Sequence, residues 1–128
     1  MSVLLRLTAA VCLAWVVVLL PLKGRLVPAA ELTAMARAAA NGLGIANLVL
    51  AYLFWHAAGE PAAHRGAVYA AIMLSALKTA NDLYELLVLM PPHEALLALA
   101  DLVLSVGLLV GLLEALPRML AGARAKNL

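Results

Sequence analysis

Four long apolar stretches, cut by short segments of proline, glycine and charge, leave this chain few ways to fold. They cover about 3–20, 34–58, 67–90 and 94–116. A helix of about 20 apolar residues spans the hydrocarbon of a bilayer, and each stretch is near that length. Water is a poor solvent for such a chain. Of its 128 residues 66% are hydrophobic and 12% charged. A soluble domain is nearer half apolar and a quarter charged, and a short chain has too little interior to hide the excess. The expected fold is all-α: an integral membrane four-helix bundle, up-down-up-down, with short loops. It forms a single transmembrane domain over 1–128, ending in a basic tail over 117–128.

The connectors carry the usual punctuation. Pro21, Gly24 and Pro28 break the chain after the first helix, and Lys23 and Arg25 mark a water interface. These two cations separate the first apolar run from Val27-Pro28-Ala29, so that run reads as a retained helix rather than a cleaved signal. Thr33 is placed to cap the second helix through its hydroxyl. That helix closes on Tyr52, Phe54, Trp55 and His56, an aromatic group suited to headgroup depth. Residues 59–66 form a turn, Pro91-Pro92 stop the third helix, and Pro117 with Arg118 ends the fourth. Glu114 and Arg118, four apart, form an interfacial pair.

With four spans, Arg6, Arg65, Arg118, Arg124 and Lys126 share one side. The other side holds Lys23 and Arg25, with Arg37 near it. The excess of positive charge puts both termini in the cytoplasm, in an inner (plasma) membrane. The net charge of +2 is small and scattered, which gives nucleic acid no face to bind.

Within this apolar background one stretch stands out. Lys78, Asn81, Asp82, Tyr84 and Glu85 lie inside the third helix, where an ionised group costs several kcal/mol unless it faces protein or water. At 1.5 Å rise per residue, depth can be matched between helices. Asn41, Asp82, Glu85 and Asp101 fall about 8–12 Å from the non-cytoplasmic ends, and Asn47, Lys78 and Ser105 about 16–20 Å. Arg37 lies about 5 Å deep. Lys78, Asp82 and Glu85 point within about 60° of one another, and Asp101 and Ser105 share a face one turn apart. These residues are expected to converge between the second, third and fourth helices, with Tyr84 beside the acids, either donating a hydrogen bond to them or facing a neighbouring helix. The charges of Arg37, Lys78, Asp82, Glu85 and Asp101 sum to −1, so one carboxylate awaits a proton, a ligand cation or a group on another subunit.

The functional expectation is therefore a ligand-binding or proton-handling pocket formed by Arg37, Asn41, Asn47, Lys78, Asn81, Asp82, Tyr84, Glu85, Asp101 and Ser105. It would bind or transport a small polar or cationic molecule, with proton exchange as one mode. A second reading makes the chain an accessory subunit that docks on a partner membrane protein and uses the charges for helix register. A third is an isomerase or hydrolase for a lipophilic substrate. No nucleophile with an adjacent base and no phosphate loop is visible, which points away from an enzyme.

Gly107 and Gly111 form a GxxxG packing motif, for a homodimer or for a contact inside the chain. Cys12 reads as a small apolar packing residue. His56 and His64 lie at one interface and His93 at the other, so they do not converge on one metal or haem, and no cofactor is expected. Length and topology resemble the small multidrug exporters. Their coupling carboxylate lies in the first helix, where this chain has no acidic residue, and no family is assigned.

Overall fold

A computed structural model describes residues 1–22, 34–89 and 95–125. The described residues form four helices and no strand: α1 (Ser2–Val17), α2 (Ala34–Ala57), α3 (Arg65–Tyr84) and α4 (Ala95–Ala125). Lys23, Arg25, Thr33, Pro91, Pro92, His93, Glu94 and Lys126 lie outside the described residues, as do the side chains of Arg37, Glu85 and Arg124.

Contacts between named residues fix the helix directions. Leu20 reaches Gly44 and Arg6 reaches Trp55, so α1 and α2 run antiparallel. Leu4 reaches Gly111, and Lys78 reaches Asp101, so α4 runs against both α1 and α3. Met1, Pro61 and Arg118 meet around one hollow at the end of the bundle that holds the 59–64 turn.

Two of the helices end in wider turns. Val18–Leu22 continues α1 as a π turn containing Pro21, and Glu85–Leu89 continues α3 in the same way. A proline has no N–H to donate to the helix, and a wider turn is one way a chain accommodates it.

The core lies toward the 59–64 end. It is built from Leu5, Ala9 and Cys12 of α1, Ala51, Phe54 and Ala57 of α2, Val68 and Ala71 of α3, and Leu112 of α4. Most of these are small, as close helix approach requires. Phe54 corrects the aromatic reading: it is fully buried in this core, whereas Tyr52 and Trp55 face outward. The reason is helical phase, since Phe54 shares its face with Ala51, Ala57 and Ala58.

Pro117 also departs from expectation. α4 passes through it and continues to Ala125. The missing hydrogen bond is offset by packing beyond the proline, where Met119 touches the core and Ala123 is buried. Glu114 and Arg118 are both exposed and do not pair.

The glycine motif divides. A Cβ on Gly111 would stand 3.0 Å from Leu4 Cδ2, so this glycine serves the contact between α1 and α4, while Gly107 faces open space. Gly44 is tighter, with Leu20 Cδ2 only 2.7 Å and Cγ 2.8 Å from a Cβ position. Gly44→Leu is expected to force α1 away from α2 and lower stability by about 1–3 kcal/mol. Gly42→Ala, which meets nothing within 4 Å, should be neutral or slightly stabilising. Thermal unfolding of the two variants in the same detergent checks the contrast.

Two helical segments, Ser2–Leu20 and Leu99–Ala123, are long and apolar enough to cross a membrane among the described residues. α2 and α3 do not reach that length and apolarity together.

Candidate functional site

α3 places Lys78 and Asp82 one turn apart on one face, and α4 does the same for Asp101 and Ser105. Antiparallel packing brings the two faces together. The Lys78 ammonium donates to Asp82 Oδ1 at 2.9 Å, to Asp82 Oδ2 at 3.0 Å and to Asp101 Oδ2 at 2.5 Å. The Ser105 hydroxyl donates to Asp82 Oδ2 at 2.7 Å and also approaches its own helix at the Asp101 carbonyl, 2.9 Å away. These are the ion pairs among the described residues.

The two carboxylates are not equivalent. Asp82 has 5% of its side chain exposed and accepts at both oxygens. Asp101 has 31% exposed and is met by Lys78 at one oxygen, Oδ2. One ammonium thus serves two carboxylates, and the described cluster keeps a formal charge of −1. Asp82 is the anchor of Lys78, and Asp101 carries the surplus.

Two hollows adjoin the cluster. An inner cavity of about 40 Å³ is lined by Thr8, Cys12 and Trp15 of α1, Asn47 of α2, Ser75 and Lys78 of α3, and Ser105 of α4, among others. An outer groove of about 140 Å³ runs between α1 and α4 and is lined by Val11, Ala14, Trp15, Val18, Asp101 and Leu104. The Lys78 ammonium also stands 5.2 Å from the centre of the Trp15 ring, a cation–π contact.

Of the expected residues, Lys78, Asp82, Asp101 and Ser105 come together between α3 and α4. Among the described residues the wall opposite Lys78 comes from α1, through Trp15, Thr8 and Cys12, with Asn47 from α2. Asn47 spends its amide N–H on the Leu43 carbonyl, 2.9 Å away in its own helix. Asn41 and Asn81 are exposed. Tyr84 is 55% exposed and bonds to no member of the cluster. Its phase explains this, because Tyr84 lies about 200° around α3 from Asp82. The side chains of Arg37 and Glu85 lie outside the described residues. Trp15 has no signal of this kind in the sequence, because an indole inside an apolar run offers no charge or amide whose depth marks a site.

His56 and His64 do meet, with ring centroids 5.2 Å apart at the turn end of the bundle, where Tyr52 stacks on His56. Among the described residues no group of three or more His, Cys, Asp or Glu side chains could hold a metal ion. No protein-family model, curated protein or solved structure matches the chain.

Proposed function

We propose that this is a small membrane protein of four spanning helices, with both termini cytoplasmic, that binds and exchanges a small cation at Asp101. The observation that carries the reading is the surplus carboxylate. Lys78 neutralises one acid, Asp82 is enclosed, and Asp101 keeps an oxygen without a donor among the described residues, beside an open groove. In low-dielectric surroundings a carboxylate that must share its ammonium with another attracts a cation.

The bilayer setting is supported by side chains on α2 and α3 as well as on the more apolar helices. Tyr52, Met73, Leu77, Leu87 and Val103 are each more than three-fifths exposed. So much outward apolar surface suits lipid far better than water. Arg6 and Arg65 lie toward one end of the bundle with Arg118, which supports the cytoplasmic assignment of that end.

The groove favours a cation of limited size with an apolar body. Val11, Ala14, Val18 and Leu104 offer apolar contact, and Trp15 offers a ring face. A binding event near Trp15 should alter its fluorescence. In a Trp55→Phe background, methylammonium titrated at constant ionic strength is expected to change Trp15 emission saturably, and Asp101→Asn to abolish the response while the helix content is unchanged. An equal response in Asp101→Asn would sink the proposal. The partner-docking alternative has less support, because Lys78, Asp82 and Ser105 turn inward onto one another rather than outward.

A further inference from the structure

We propose that the inner cavity is a hydration chamber for the charge cluster, and that Trp15 is the partition that keeps its water apart from the groove at Asp101. The purpose of such a chamber rests on the cation-exchange reading, although its geometry does not.

Ser75 is the first ground. It is 4% exposed and lines the cavity, and its hydroxyl has no hydrogen-bond partner among the described residues. The neighbouring hydroxyls differ. Thr8 donates to the Leu4 carbonyl, Thr79 to the Ser75 carbonyl, and Ser105 to Asp82. Among the described residues no fully buried side-chain polar atom lacks a partner, so the Ser75 hydroxyl faces accessible space, and water in the cavity can bond to it. Room and partners are both present. A cavity of about 40 Å³ holds roughly two to three waters, and each needs two or more polar contacts. Thr8 and Ser105 keep acceptor lone pairs after donating, and Ser75 offers both a donor and an acceptor.

The partition is the second ground. Val11, Trp15 and Leu104 line both the cavity and the groove. Lys78 lines the cavity alone and Asp101 the groove alone, so their ion pair crosses the shared wall. The indole is the largest group in that wall and carries the Lys78 ammonium over its ring. Lys78 therefore meets water on one side, Asp101 meets the groove on the other, and the indole separates the two hollows. A proton or cation can then leave Asp101 without a continuous water path through the bundle.

Two measurements on the full chain test this. Density that resolves bound water should show about two or three waters in the cavity, one bonded to Ser75 Oγ. An empty cavity in a map that resolves water elsewhere overturns the chamber. Cys12, the single cysteine, lines the cavity and reports on access to it. Methyl methanethiosulfonate should modify it slowly in the parent protein and at least about tenfold faster in Trp15→Ala, where cavity and groove join. Trp15→Phe, which keeps most of the packing, should fall between. Unchanged rates in both variants overturn the partition. Neither readout involves cation binding, so both stand or fall separately from the Asp101→Asn result.

Discussion

Lys78→Met is expected to lower the stability of the protein by about 3–5 kcal/mol, the largest effect of any single substitution in the cluster. Methionine keeps most of the volume and removes the charge. Asp82 is then left inside the bundle with Ser105 as its remaining donor, and Asp101 loses its partner across the helices. The loss comes less from the pair's attraction than from the stranded carboxylates, since a charge without a partner in a low-dielectric interior carries its full desolvation penalty. A second variant separates these contributions. Lys78→Met combined with Asp82→Asn and Asp101→Asn has no buried charge to strand and should recover more than half of the loss. Unfolding midpoints by circular dichroism in one detergent measure both. A loss below about 1 kcal/mol for Lys78→Met would mean that the cluster behaves like an exposed pair, and the account of a buried network would fail.

Phe54→Ala is the second large effect, about 3 kcal/mol of destabilisation. The ring is fully buried among Leu5, Ala9, Ala57, Val68, Ala71 and Leu112. Lipid offers the ring an apolar surrounding as well, so the loss is one of packing: the small neighbours cannot close the cavity that alanine leaves. Tyr52→Ala supplies the contrast. That ring is 70% exposed on the same helix, and its removal should change stability by no more than about 0.5 kcal/mol. Equal effects for the two would show that the helix is rotated relative to the described core.

Much of this arrangement was legible before any tertiary structure. Hydropathy separated the helices, because long apolar runs and proline or glycine breaks are local signals. Lys78 with Asp82, and Asp101 with Ser105, followed from helical phase, which places residues four apart on one face. Depth matching set Asp82 level with Asp101 and Lys78 level with Ser105, because rise per residue is nearly constant, whereas the bonds cross those two layers, from Lys78 to Asp101 and from Ser105 to Asp82. The same arithmetic misjudged Tyr84, which has suitable depth but the wrong phase. It also read Pro117 as a stop, since the value of packing Met119 and Ala123 beyond the proline is not a local quantity.

The sequence by itself determined that the chain is helical, that ionisable residues lie within its apolar segments, and that α3 and α4 each present a polar face. Only the tertiary structure decided which helix faces them. α1 shows no charge near the site, and its role rests on the shape of one indole and on Leu20 and Leu4 entering the spaces left by Gly44 and Gly111. Such contacts depend on side-chain volume and interhelical distance, which composition and periodicity do not encode. Tertiary packing also made the two aspartates unequal. Both are one residue type in similar apolar runs, yet Asp82 is enclosed by Lys78 and Ser105, while Asp101 opens on a groove that exists only where α1 and α4 part.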